Sequence, residues 1–316
     1  MKKRILSATC ALAIIANLVP LPAYAAIEVP EGAGYTLCFD VVDASGDGWV
    51  DAGEQVDVTV SIADAGWATN DSSMPLTILR VGFKFNNDLL ELTCDHAINP
   101  STPYAATLGD LLSQTNAVGY AFSNDAATTE KGGLDYANET GEAIVLCEHA
   151  LGQYVDLPDE KTSVFTYHFV AKDGVEGQPT FDIISESTSL SVGFVTGNPE
   201  DAKTLGSAPE LEYGSIPQVD TKAPTIEVEG SVPTEGTTYY YQPLTVSATD
   251  EGSGLASLTL DGNAVTGNTV SVGGTLTATD ERGNTSTCTL TVDAAAFNAA
   301  KEAAAALPET ITYADK

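Results

Sequence analysis

The sequence predicts an all-β protein made of two sandwiches, with a short helix near its C-terminal end. Three observations predict this fold class. Apolar and polar residues alternate with a period of two in many short segments, turn residues separate those segments, and helix-forming residues are concentrated after residue 293. The predicted units are residues 26–215 and 223–293, joined by a linker at 216–222 and followed by a helical segment at 294–316.

The first 25 residues have the features of a secretory signal. Basic residues at positions 2–4 precede an apolar stretch at 5–19, and Ala23-Tyr24-Ala25 matches a cleavage site of the A-x-A type. The apolar stretch is too short to span a bilayer comfortably, and no later stretch is apolar enough to do so. We therefore expect a secreted or cell-surface protein with no membrane span after cleavage.

The composition is strongly acidic. The chain has 316 residues, with 44 acidic side chains against 13 Lys and Arg, and a formal net charge of −31. A surface of this charge repels nucleic acid and anionic lipid, so we expect neither as a partner. Because 43% of the residues are hydrophobic and alternate regularly, the acidity indicates a soluble folded protein and not a disordered one.

The residues from Asp43 to Glu54 fit a calcium-loop pattern, D-x-S-x-D-G-x5-E. Calcium takes six to eight oxygen ligands, which such a loop supplies at alternate positions, and Gly48 lies where the chain must turn sharply. The alternative is an acidic connection whose Gly and Asp residues serve turn geometry. The predicted ligands of a structural calcium ion are Asp43, Ser45, Asp47, the backbone carbonyl of Trp49, Asp51 and Glu54.

The segments on either side of this loop have the strand pattern and lack the helix pattern. Upstream, apolar residues recur at 37, 39 and 41, and downstream they recur at 56, 58, 60 and 62. The loop is therefore predicted to join two strands, which excludes the helix pair of an EF-hand. A dockerin has two such loops, each followed by a helix, so that interpretation is also disfavoured.

Further strands are predicted along the first unit. Alternation predicts strands at 79–85, 143–147 and 163–171, and a shorter strand at 119–123. In the segment 163–171, Phe165, Tyr167, Phe169 and Ala171 are predicted to share one buried face.

A short motif occurs twice, as Cys94-Asp95-His96 and Cys147-Glu148-His149. In an extended strand, residues two apart lie on the same face, so the four side chains could form a Cys2His2 zinc site. An exported protein could instead form a disulfide between Cys94 and Cys147. The third alternative is two strand ends with unpaired thiols.

Three segments of the first unit resemble cohesin domains. They are GEQVDVTVSI, LRVGFKFNNDLLELT and TSVFTYHFVAKDGVEGQPTFDII. The resemblance implies a nine-stranded jelly roll that binds a dockerin partner, with a fold that carbohydrate-binding modules share. The chain departs from the cohesin pattern at Asn86-Asn87-Asp88, where Tyr-Asp-Pro is usual, and in having the calcium-type loop.

The second unit resembles the bacterial Ig-like repeats of surface proteins of Gram-positive type. The segments that carry the resemblance are APTIEV, ATDEGSGLASLTLDG and GTLTATDERGNTSTCTLTV, and it implies a spacer or stalk. After Asp293, which could cap a helix, the segment AAAFNAAKEAAAALPE resembles the opening helix of a small helical repeat.

No arrangement of residues typical of an enzyme is evident. The three His residues lie at 96, 149 and 168, and the motifs of serine hydrolases and zinc proteases are absent from the sequence. We therefore expect a non-catalytic protein whose first unit binds a protein partner, either dockerin-like or on a host surface. The alternative is a carbohydrate-binding module that binds a polysaccharide, as part of a polysaccharide-degrading or adhesive system.

Overall fold

Strands make up most of the structure, a computed structural model that describes residues 35–64, 75–93, 96–99, 102–104, 106–113, 117–122, 134–149, 155–156, 160–185, 188–192, 203–205 and 209–306. The predicted signal at 1–25 lies outside these residues. In chain order the strands of the first unit are β1 (Tyr35–Asp43), β2 (Trp49–Val50), β3 (Gln55–Asp64), β4 (Pro75–Phe85), β5 (Leu90–Leu92), β6 (His96–Asn99), β7 (Thr102–Tyr104), β8 (Ala106–Leu108), β9 (Ala117–Phe122), β10 (Glu142–His149), β11 (Val155–Asp156), β12 (Thr162–Ala171), β13 (Glu176–Gly177), β14 (Phe181–Ile183), β15 (Ser189–Val192), β16 (Lys203–Leu205), β17 (Glu210–Tyr213) and β18 (Gln218–Asp220).

The strands of the second unit and the helices complete the order. The second-unit strands are β19 (Thr225–Val228), β20 (Thr238–Tyr239), β21 (Leu244–Thr249), β22 (Leu255–Leu260), β23 (Asn263–Ala264), β24 (Thr269–Val270), β25 (Gly274–Asp280) and β26 (Thr285–Val292). The helices are α1 (Asp110–Ser113), α2 (Leu134–Thr140) and α3 (Ala295–Ala305). The all-β prediction is therefore confirmed.

Two sheets form the body of the first unit. One has the strand order β17-β1-β3-β12-β5, with β8 also paired to β12. The other has the order β16-β15-β4-β10-β9, with β11 and β14 also paired to β4. Most pairs are antiparallel, but β17 runs parallel to β1 along one edge. A small third sheet, β13-β18-β2, lies beside them.

Aromatic side chains fill the space between the two large sheets. Phe83 of β4 stacks on Tyr167 of β12 with ring centroids 4.5 Å apart and on Phe39 of β1 at 5.9 Å. Phe85 meets Phe169 at 4.9 Å. Contacts of this kind join strands of one sheet to strands of the other, so they hold the sandwich closed.

The alternation predicted from the sequence matches the burial. Val56, Val58, Val60 and Ile62 of β3 are each 0% exposed, and the predicted face of β12 is buried at every position. The strand predictions at 79–85, 143–147 and 163–171 are confirmed by β4, β10 and β12. The short strand predicted at 119–123 is present as β9, which begins two residues earlier.

The turn at 86–88 anchors a helix. The side-chain amide of Asn87 donates to the carbonyls of Asn138 and Glu139, at 3.1 and 3.0 Å. Asn138 in turn makes paired hydrogen bonds with the backbone of Leu92, at 2.7 and 2.9 Å, as a neighbouring strand would. Asn87 therefore has a structural use at a position where this chain departs from the cohesin pattern.

Residues 216–222, predicted as a linker, contain the strand β18. This strand pairs antiparallel with β13 and parallel with β2, and its central residue Val219 is 0% exposed within the first core. A three-residue strand contains too little alternation to produce a readable period, and the prolines at 209 and 217 dominate the pattern instead.

The second unit has a separate core. Its strands form the sheets β19-β21-β24 and β20-β26-β25-β22-β23, which enclose a second cluster of buried residues. Fully buried members include Leu244, Val246 and Leu276, and Cys288 packs against them while partly buried. The predicted β-sandwich character of this unit agrees with these sheets, and its Ig-like relationship stays a prediction.

The helix predicted near the C-terminus is present as α3. Its N-cap residue is Ala294, which makes no side-chain capping hydrogen bond, so the prediction that Asp293 caps the helix is wrong. The backbone N–H of Asp293 donates to the carbonyl of Tyr239 at 2.8 Å, which ties this residue to β20. Residues 307–316 lie outside the described residues. Among those described, no helix combines the length and apolar composition needed to cross a bilayer.

We expect Phe83→Ala to lower the free energy of unfolding by about 3–5 kcal/mol, because it removes the ring that contacts both sheets. Urea unfolding followed by tryptophan fluorescence and circular dichroism measures this loss. Val42→Ala is the control, since Val42 lies on β1 and is 58% exposed, and it should change stability by less than about 0.5 kcal/mol. Equal losses in the two variants would contradict the assigned core.

Candidate cation-binding loop

The acidic loop closes a long antiparallel hairpin. β1 and β3 pair continuously from Tyr35 opposite Asp64 to Asp43 opposite Val56, and the loop begins where that ladder ends. Inside the loop, β2 pairs in parallel with β18. The prediction that the loop joins two strands is therefore confirmed, and its conformation is fixed from both ends.

Asp43 organises the first half of the loop. Its Oδ2 accepts hydrogen bonds from Ser45 Oγ and the Asp47 N–H at 2.9 Å each, and from the Gly48 N–H at 3.3 Å. Gly48 has φ +86°, a left-handed conformation that glycine adopts without steric cost. Burial acts to raise the pKa of Asp43, but these hydrogen bonds outweigh it and lower the pKa below its ordinary value.

Glu54 reaches back across the loop from its last position. Its Oε1 accepts from the Ser45 N–H at 2.6 Å and its Oε2 accepts from the Asp51 N–H at 3.0 Å. Asp43, Ser45 and Glu54, three of the six predicted ligands, are thus held together by hydrogen bonds within the loop. Trp49 lies in β2, and its N–H donates to Asp47 Oδ1 at 2.9 Å.

The side chains of Asp47 and Asp51 both contact the second unit, although Asp47 also accepts the Trp49 N–H within the loop. Arg282, in the turn between β25 and β26, forms two hydrogen bonds with Asp51, from Nε and Nη2 at 2.8 and 2.9 Å. Its Nη1 also donates to Asp47 Oδ2 at 2.9 Å. The contact with Asp51, and then that with Asp47, raises the pKa of the guanidinium, so Arg282 stays charged.

This arrangement fits a calcium site in part. The loop has the hard oxygen ligands that calcium prefers, and Asp43 and Glu54 are positioned at its two ends. However, a cation bound to Asp47 and Asp51 would compete with Arg282 for the same carboxylate oxygens. The structure therefore assigns the loop a second use, as the surface on which the second unit is held.

Arg282 is the residue that sequence reasoning missed. It lies 231 residues after Asp51, and no local pattern connects the two positions. The available signal was composition. An arginine in a turn, next to Asp280 and Glu281 in a chain with 44 acidic residues, has many acidic partners available. Only the topology determines which of them it contacts.

The described cysteines are structural. Cys38 and Cys288 are free thiols, and burial raises the pKa of both, with Glu212 adding to the effect at Cys38. A thiol that stays protonated is a poor nucleophile and metal ligand, so both act as small packing residues. Cys94 and the side chains of Cys147, His96 and His149 lie outside the described residues, so the disulfide and zinc alternatives stay predictions.

No family model and no curated protein matches this chain. Solved cohesin structures are remotely similar to it. One is the third cohesin ScaC of Acetivibrio cellulolyticus in complex with the ScaB dockerin, at 14% identity, covering 60% of this chain and 99% of that one, with a TM-score of 0.36.

Two further cohesins show likeness of the same size. The Coh-OlpA–Doc918 complex of Clostridium thermocellum gives 11% identity, 58% and 98% coverage and a TM-score of 0.34. A type II cohesin domain from the cellulosome of Acetivibrio cellulolyticus gives 13% identity, 57% and 94% coverage and a TM-score of 0.33.

We expect Arg282→Ala to lower the melting temperature by about 2–4 °C, because the contact is a bidentate ion pair whose carboxylates are partly solvated. Differential scanning calorimetry of Arg282→Ala, Asp51→Ala and the double variant measures the coupling. Arg282→Lys keeps the charge but not the planar fork, and should recover part of the loss. Strictly additive effects would contradict a direct contact.

Proposed function

We propose that this chain is an exported, non-catalytic surface protein whose first sandwich binds a protein partner. The partner is dockerin-like or lies on a host surface, and the second unit acts as a spacer that carries the sandwich. Export rests on the signal features of residues 1–25. Partner binding rests on the resemblance of three first-unit segments to cohesins.

One observation carries the proposal. The three segments that resemble cohesins are separate in the sequence and are neighbours in the sandwich. β3 from the first segment pairs with β12 from the third, β12 pairs with β5 from the second, and β14 pairs with β4. Segments that match a family one at a time gain weight when they also meet in one core, because the fold needs all of them together.

The charge of the chain narrows the class of partner. With a net charge of −31, a complementary partner presents a basic surface, and association should be faster at low ionic strength. This expectation also separates the proposed partner from a neutral polysaccharide, whose binding would depend little on salt. The carbohydrate-binding alternative therefore predicts a different response to the same titration.

We expect the full secreted chain to bind at least one member of a panel of type I and type II dockerins in biolayer interferometry. Binding should weaken as salt is raised from about 0.05 to 0.5 M without disappearing, because part of the interface is apolar. An unrelated protein of similar acidity is the control for non-specific charge attraction. A glycan array tests the alternative in parallel.

One result would contradict the proposal, and another would remove only its dockerin-like partner. Binding to a polysaccharide on the array, with no dockerin bound, would favour the carbohydrate-binding alternative. If neither a dockerin nor a glycan binds, the dockerin-like partner is excluded and host-surface proteins are the partners to test next.

We further propose that the acidic loop takes calcium, held by Asp43, Ser45, the backbone carbonyl of Trp49 and Glu54, together with whichever of Asp47 and Asp51 is released by Arg282. Isothermal titration with calcium chloride should show weaker binding in Glu54→Gln and tighter binding in Arg282→Ala, since Arg282 competes for two ligands. Glu91→Gln, an exposed acid on β5, is the matched control. Identical isotherms for all three variants and the unaltered chain would exclude a loop site.

A further inference from the structure

Three carboxylates converge where the first unit meets the second. Glu176 lies in β13, Asp220 ends β18, and Asp250 directly follows β21 of the second unit. One ligand oxygen of each lies within 4.8 Å of the others. Two oxygens bound to one calcium ion at about 2.3–2.6 Å can be no farther apart than about 5 Å, so this spacing fits a shared ion.

Strand pairing and a tight turn of the backbone place these carboxylates close together. Glu176 and Asp220 are directly opposite each other in the antiparallel pair of β13 and β18, a position where like charges destabilise a sheet. Asp220 is 0% exposed. The turn after Asp250 closes over it so tightly that a Cβ on Gly252 would lie 2.5 Å from the Asp220 carboxylate.

The hydrogen bonds of Asp220 fix its carboxylate in place. Its Oδ2 accepts from the Ser253 N–H at 2.6 Å and its Oδ1 accepts from the Lys222 N–H at 3.3 Å. Asp250 Oδ2 accepts from the Gly254 N–H at 2.7 Å. Both carboxylates are therefore oriented by backbone groups, and neither is paired with a cation in these contacts.

A buried carboxylate oxygen in this cluster lacks a partner. Glu176 Oε2 is fully buried and accepts no hydrogen bond, although Oε1 of the same side chain pairs with Lys222 Nζ. Burying a carboxylate oxygen without a hydrogen-bond partner costs free energy. Glu176 Oε2 therefore indicates a partner, such as a bound ion, that is not part of the protein chain. Ser253 Oγ, next to Asp220 along the turn, is also buried without a partner.

A fourth acid nearby, Asp280, provides a comparison because both of its oxygens accept hydrogen bonds. Asp280 is 2% exposed, and it accepts from the N–H groups of Arg282 and Asn284 at 2.9 and 2.8 Å and from Asn284 Nδ2 at 2.8 Å. Burial first, and then the neighbouring acids Asp220, Asp280 and Glu176, raise the pKa of Asp250. Asp220 and Asp250, by contrast, accept their hydrogen bonds from backbone N–H groups, and the Lys222 ammonium pairs with Glu176.

We propose that Glu176, Asp220 and Asp250 bind a divalent cation of the calcium class at the junction of the two units. The ligands are all hard oxygens, which calcium prefers and zinc does not. Two of them belong to the first unit and one to the second, so the ion fixes the second unit against the sandwich. This site shares no residue with the acidic loop and does not depend on the partner of the sandwich.

We expect calcium to raise the melting temperature of the full chain, and to do so much less in Glu176→Gln and Asp250→Asn. Each variant should weaken the affinity of this site at least tenfold in isothermal titration with calcium chloride. With a chelator present, Asp250→Asn should melt above the unaltered chain, because it removes repulsion that no ion then relieves. Glu251→Gln, which removes an exposed acid one residue away, is the matched control.

The loop variant Glu54→Gln separates the two sites. Glu54→Gln should not change calcium binding by Glu176, Asp220 and Asp250. Asp250→Asn should not change calcium binding by the acidic loop. The proposal is overturned if millimolar calcium fails to raise the melting temperature of the unaltered chain. It is equally overturned if Glu176→Gln and Asp250→Asn respond to calcium as Glu251→Gln does.

Discussion

Unbalanced negative charge at the meeting point of the two units is the constraint on which the arrangement depends. The chain places acids on the loop of the first hairpin and again on β13, β18 and the turn after β21. On the loop side, Arg282 compensates Asp47 and Asp51 directly. On the other side, Lys222 pairs with Glu176, while the buried Asp220 and its neighbour Asp250 are oriented by backbone N–H groups.

The turn between β25 and β26 serves both sides of this junction. Asp280 receives hydrogen bonds from the backbone of the turn, which holds Arg282 at the position from which it reaches the loop. Asn284 of the same turn donates to the carbonyl of Asp220 at 3.1 Å. One short turn thus connects the second unit both to the acidic loop and to β18.

These contacts bear on the proposed role of the second unit as a spacer. A spacer holds a binding module in a defined direction only if the connection between them is stiff. The connection here does not depend on a flexible linker, because β18 belongs to the first core and the turn at 280–284 contacts it. A module of this kind would present its binding surface at a fixed angle, and a cation at the junction would reinforce that angle.

Most of the first sandwich could be predicted from the sequence. Alternation over ten residues in β3 and β12 determines which face of each strand is buried. The aromatic residues on the buried faces of β4 and β12 contact each other between the sheets. The same reasoning failed at β18, where three residues contain no period. It also failed at Asp293, because the helix begins one residue later than predicted, with Ala294 as its N-cap.

The candidate sites were predictable to different degrees. Asp43 and Glu54 belong to one contiguous pattern, so spacing alone brought them together. Glu176, Asp220 and Asp250 come from three strand ends separated by tens of residues, and neither the strand β18 nor its register with β13 could be inferred beforehand. Long-range charge pairing depends on the register of strands, which local residue patterns do not specify.

The most direct measurement is an anomalous difference map from crystals of the full chain grown in calcium, recorded at long wavelength. Compensation of these three acids by a cation predicts a strong peak about 2.3–2.6 Å from oxygens of Glu176, Asp220 and Asp250. A map without a peak there, with the Lys222 ammonium or solvent water among those oxygens, would contradict it.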